Sequence, residues 1–87
     1  MRPTLVEFAD AMELKLQKND HKRGWRELPL EALERLMKIE LEEYAVAREF
    51  LTVDDARKEL VDVANFCMML WDRLEMIEQE SASGRQK

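Results

Sequence analysis

Leu60-Val61-Asp62-Val63-Ala64-Asn65-Phe66-Cys67-Met68-Met69-Leu70-Trp71 is apolar at every position but Asp62 and Asn65. Read as a helix it makes about three full turns and is apolar most of the way round, so it must be buried on more than one side. Helical spacing extends outward from it through Ala56, Leu74 and Ile77. Upstream, Thr52 is a good N-cap, with Asp54 and Asp55 near the positive end of the helix it opens. Before that, Leu30, Leu33, Leu36, Met37, Leu41 and Tyr44 form one broad stripe that ends near Phe50, and Pro29 suits the first turn of its helix. A first helix opens at Thr4-Leu5-Val6-Glu7, which has capping-box spacing, continues through Phe8, Met12 and Leu16, and ends near Asn19. Asp20-His21-Lys22-Arg23-Gly24-Trp25 reads as a polar loop. The expected fold is all-α, with three helices. A single helical domain spans 1–80, and 81–87 forms a flexible, polar C-terminal tail.

Composition agrees. The 87 residues are 46% hydrophobic and 38% charged, with only 2 Gly and 2 Pro, which excludes a disordered or loop-rich all-β chain. No run of about 18 apolar residues exists to span a membrane, and the opening stretch carries Glu7 and Asp10 where a signal peptide would be apolar. The one cysteine, Cys67, forbids an internal disulfide, and its apolar neighbours suggest a buried thiol in a reducing, cytoplasmic setting. A net charge of −5 argues against a protein that coats nucleic-acid duplexes. The charge is also segregated. Residues 15–26 carry five basic residues against Asp20 alone, whereas residues 40–62 carry eight acids against three bases. Such strips can serve one polyanionic ligand if a cation sits between acid and ligand.

Four acids stand out. Glu40 lies on the apolar stripe of the second helix, between Met37 and Tyr44, with Glu43 three residues on. Glu59 and Asp62 repeat that spacing on the third helix. If the two helices form an antiparallel hairpin around Leu51, the pairs lie at matched distances from the turn and converge at one level. Buried like charges repel and need a cation, and an all-oxygen set without His or Cys selects Mg²⁺ or Mn²⁺ over zinc. Either pair alone would be ordinary surface decoration; both on apolar faces at one height point to metal.

Glu40-Leu41-Glu42-Glu43 followed by Glu59-Leu60-Val61-Asp62 resembles the E-x-x-E…E-x-x-D signature of the MazG-type all-α nucleoside triphosphate pyrophosphohydrolases. The similarity extends to Ala9–Leu16, to Asn19-Asp20-His21-Lys22 with Gly24-Trp25, and to Asp62–Met69, as in the single-domain members common in phages and prophages. The resemblance implies a cytoplasmic Mg²⁺ enzyme, with Mn²⁺ as a possible substitute, that cleaves a (d)NTP to the monophosphate and pyrophosphate. It implies a homodimer, or a dimer of dimers, whose three-helix subunits form a four-helix-bundle core. It also implies Glu40, Glu43, Glu59 and Asp62 as catalytic metal ligands, and Asn65 as a polar residue close to them. Arg23 departs from the pattern, standing where the family loop usually has glycine.

Phosphoanhydride hydrolysis asks mainly for charge neutralisation and a placed water, so the acids and the basic loop suit it. The candidate substrate contacts are Asn19, His21, Lys22, Arg23, Trp25 and Asn65. Lys22 and Arg23 either hold phosphate or complement a helix dipole; Lys15 and Lys18 are weaker phosphate candidates, for which the dipole reading is preferred. Trp25 either stacks on a base or plugs the core, and His21 either bonds the nucleotide or stands in solvent. Trp71 and Met68-Met69 belong to the core or to a subunit interface. Two other functions share this fold: a non-catalytic helical dimerisation or regulatory module, and a nucleotide-binding sensor without turnover.

Overall fold

The break between the two long helices organises the molecule. Leu51 takes extended backbone, and its N–H still reaches the Ala47 carbonyl at 2.9 Å, which closes the helix before it. Thr52 opens the next with a reciprocal cap: its Oγ1 accepts the Asp55 N–H at 3.1 Å, while the Asp55 carboxylate accepts the Thr52 hydroxyl at 2.8 Å and the Thr52 N–H at 3.3 Å. These bonds hold the Asp55 carboxyl below the usual carboxylate range, with Lys58 adding a smaller pull.

The structure, a computed structural model, describes residues 1–19 and 24–85. Helix α1 is Pro3–Lys18, a 3₁₀ turn covers Trp25–Glu27, α2 is Leu30–Phe50 and α3 is Val53–Arg85; no strand occurs among the described residues. The all-α, three-helix expectation holds. Two local readings need correction. Pro3 occupies the first turn of α1, where its fixed φ and missing N–H suit it, so the helix starts ahead of Thr4 and its N-cap, Arg2, makes no side-chain cap bond; the Thr4–Glu7 box is not its cap. Pro29 stands one residue earlier than expected, as the N-cap of α2. The polar segment from Ser81 continues α3 as far as Arg85.

Helices α2 and α3 pack as an antiparallel hairpin, and α1 packs on α3. Inward positions of α2 recur at Leu33, Met37, Glu40, Tyr44 and Ala47, all buried or half-buried, whereas Leu36 and Leu41 fall on its exposed flank. On α3, Ala56, Glu59, Val63, Phe66 and Leu70 are shielded with the spacing of one face, and Val61, Asn65 and Met68 with that of a second. Burial on two sides is what the apolar run required. A third side stays open: Val53, Leu60, Cys67, Trp71 and Leu74 are exposed, with Trp71 at 74%. Cys67 is therefore not the buried thiol expected, although its Sγ touches Met37 Sδ at 3.6 Å.

Few side chains are fully enclosed; the buried apolar residues are Leu33, Ala47 and Ala56. The radius of gyration is 15.4 Å, against about 12 Å for a compact chain of this length. The accessible surface is 7086 Å², against about 5,400 Å² for a folded monomer of this mass. No helix among the described residues is long and apolar enough to cross a membrane.

Candidate metal centre

Glu40 and Glu43 reach the α2–α3 seam from one helix and Glu59 from the other. Each offers a carboxylate oxygen, and the three oxygens lie within 4.8 Å of one another. Oxygens on opposite sides of a Mg²⁺ ion stand about 4.2 Å apart, so the spacing is close to what one ion would gather. Glu40 and Glu59 are half-buried and Glu43 is exposed, leaving the cluster open to solvent on one side.

Two of these oxygens are anomalous. Glu40 Oε2 and Glu59 Oε2 are buried, with no hydrogen-bond donor among the described residues. A buried carboxylate oxygen without a donor is costly, and a proton or a cation between two of them removes that cost. The electrostatics agree. Burial, then the hydrogen-bonding carboxyls of Glu59 and Glu43, then the charges of Asp62 and Glu43, push the Glu40 carboxyl up to about 8. Its surroundings therefore favour the protonated form of Glu40 when no cation is present. The donor set is entirely hard oxygen, which fits Mg²⁺ or Mn²⁺.

Asp62 stands beside this cluster rather than in it. It lies close enough for its charge to raise Glu40, but its Oδ1 pairs with Lys15 Nζ of α1 at 3.5 Å. Asn65, one turn further along α3, is only 4% exposed; its Nδ2 donates to the Met12 carbonyl at 3.2 Å, and its Oδ1 is buried without a partner. Asn65 thus fastens α1 to α3 one turn beyond Asp62.

The remaining candidate contacts divide. Asn19 closes α1: its N–H bonds the Leu16 carbonyl at 3.0 Å and its Nδ2 the Lys15 carbonyl at 3.2 Å, so it serves as a helix cap. His21, Lys22 and Arg23 lie outside the described residues. Trp25 is half-buried, and its Nε1 donates to Asp72 Oδ2 at 2.9 Å. Arg26 grips the same carboxylate through Nε at 2.9 Å and Nη2 at 3.1 Å. The bonds from Arg26 first and Trp25 second hold the Asp72 carboxyl below its usual range. Sequence reasoning did not single out Lys15 for Asp62, nor Arg26 and Asp72 at all. Asp72 lies 46 residues from Arg26 and 47 from Trp25, beyond the reach of any local pattern.

Two grooves of about 420 and 440 Å³ flank Arg57 and Leu60 near the start of α3. Neither is lined by Glu40, Glu43, Glu59 or Asp62. Comparison with family models, with curated proteins and with solved structures gives no match for this chain.

Proposed function

We propose that this protein is a cytoplasmic Mg²⁺-dependent nucleoside triphosphate pyrophosphohydrolase, converting a (d)NTP to its monophosphate and pyrophosphate, with Mn²⁺ able to replace Mg²⁺. The observation that carries the reading is the pair of buried, donorless oxygens on Glu40 and Glu59, one from each helix, beside Glu43. The E-x-x-E…E-x-x-D resemblance supplies the reaction class. Glu40, Glu43 and Glu59 would hold the ion, with Asp62 at its edge. A bound divalent ion supplies neutralisation of the triphosphate and acidifies a water. The chain's own part is to hold these oxygens at the seam, to give up the proton on Glu40 when the ion binds, and to offer a free carboxylate oxygen as acceptor for the proton of the attacking water. Asn65 keeps α1 seated alongside.

The proposal includes assembly as a homodimer or dimer of dimers. The surface excess, about 1,700 Å² per chain over a compact monomer, is what two such subunits would hide from water in an obligate interface. Val53, Leu60, Cys67, Trp71 and Leu74 form an apolar strip along α3 that a second copy would cover. Met68 is half-buried against its own chain, so the strip, rather than Met68, is where a charge should break the assembly.

Purified protein incubated with Mg²⁺ and each (d)NTP tests the reading. Monophosphate and pyrophosphate are expected in equal amounts, with label from ¹⁸O-water in the monophosphate. No turnover of any nucleotide, or release of inorganic phosphate and a diphosphate, overturns it.

A further inference from the structure

Among the described residues, Lys15 is the one basic side chain that pairs with any of the four acids. Its Nζ stands 3.5 Å from Asp62 Oδ1, longer than the roughly 2.7–2.9 Å of a tight charge-assisted hydrogen bond. The Lys15 side chain is 44% exposed and that of Asp62 only 19%. The acid is therefore fixed in the wall, and the cation is a mobile head on a flexible stem. The base of that stem is anchored, because the Asn65–Met12 bond ties α1 to α3 one turn away. Two charges, one held and one movable, beside three crowded carboxylates make an exchange possible.

We propose that Lys15 is the built-in counter-ion of the acid cluster: it neutralises Asp62 while no divalent ion is bound, and it turns its ammonium to the phosphates of the nucleotide once an ion takes over that role. This inference rests on the proposed reading of the cluster as a cation site. It assigns Lys15 two effects of opposite sign. Lys15 competes with the metal for the acids, since its positive charge repels an incoming cation. It also assists the substrate, since its charge is attracted to the triphosphate. A lysine that only complements the C-terminal end of the α1 dipole would do neither.

The test compares wild type, Lys15→Met, which keeps the apolar stem, and Lys15→Arg, which keeps the charge. Without nucleotide, Mn²⁺ titration followed by calorimetry should show Lys15→Met binding the ion about two- to fivefold more tightly, the range expected for removing a partly exposed ion pair. With nucleotide, Lys15→Met should raise KM about tenfold, as for loss of a charged hydrogen bond, with kcat nearly unchanged and Lys15→Arg close to wild type. Equal Mn²⁺ affinities in wild type and Lys15→Met, or an unchanged KM, in a protein that releases pyrophosphate overturns the role of Lys15 alone. A wild-type protein that neither binds Mn²⁺ nor releases pyrophosphate overturns the cation-site reading beneath it.

Discussion

Glu40→Gln isolates the proton that the acid cluster keeps when no cation is bound. Glutamine has the size of a protonated glutamate and cannot ionise. In the folded wild type the Glu40 carboxyl is raised to about 8, against an ordinary value of 4.5. Between those two pH values the folded chain carries a proton that the unfolded chain has lost, so wild-type stability falls as pH rises through that window and levels off above it. One proton changes stability by at most about 1.4 kcal/mol per pH unit. Glu40 is only half-buried, and solvent screening reduces this to about half or less. From about pH 5.5 to about pH 7.5 the expected loss is then on the order of 1 kcal/mol. For a domain of this size that is a fall in Tm of roughly 4–8 °C.

The assay is thermal melting followed by circular dichroism, in EDTA, at one protein concentration, for both proteins across the window. Every other titrating group is common to the two, so their difference isolates Glu40. The variant should match wild type at the acid end and become progressively more stable than it up to about pH 8. Mg²⁺ should then flatten the wild-type curve by stabilising the ionised cluster, and should do less for the variant. Parallel curves for the two proteins at all pH values would refute the claim that Glu40 holds a proton against its neighbours.

Glu43→Gln and Asp62→Asn should each lower pyrophosphate release by about 100-fold with helical circular dichroism unchanged; wild-type rates at saturating Mg²⁺ would remove the residue from the site. Trp71→Asp puts an unpaired charge on the open strip of α3 and should convert the assembly to monomer in sedimentation; a wild-type protein that is already a compact, stable monomer at micromolar concentration would end the dimer proposal. Thr52→Ala removes the cap of α3 and should cost about 1 kcal/mol, seen as a lower urea midpoint; an unchanged midpoint would show that Thr52 contributes no stability.

The helices and the hairpin were legible because local spacing encodes them. Apolar residues recur at helical intervals, and Leu51-Thr52 interrupts them where a cap residue follows. The meeting of Glu40, Glu43 and Glu59 was legible for the same reason, since distance from a known turn fixes height along a hairpin. The place of Asp62 was not. Three residues carry it about 60° around α3 from Glu59, toward α1, and only the position of Lys15 reveals which neighbour takes it. Periodicity also showed that α3 is apolar on more faces than two helices can cover, yet not which face stays open. That depends on where α1 lies, and Cys67 and Trp71 end up on the uncovered side. The Thr4–Glu7 signal failed because Pro3, one residue earlier, starts the helix first.

Gathering carboxylates against so small a core is a liability for the fold, and the chain offsets it with devices placed around the cluster. Glu40 keeps a proton, and Lys15 covers Asp62. The Thr52–Asp55 box fixes the hairpin turn, which sets the register of Glu59 against Glu40 and Glu43. Asp72 draws in Trp25 and Arg26 and so ties the chain between α1 and α2 to α3. Of these, only the proton and the lysine lie on the acids themselves, and both carry positive charge that can leave. In sequence the cap lies between the two acid pairs and the clamp outside them, and neither involves the four acids. This division separates what holds the helices from what neutralises the cluster. On the proposed function, a divalent ion would replace that positive charge without loosening the helices that present the acids.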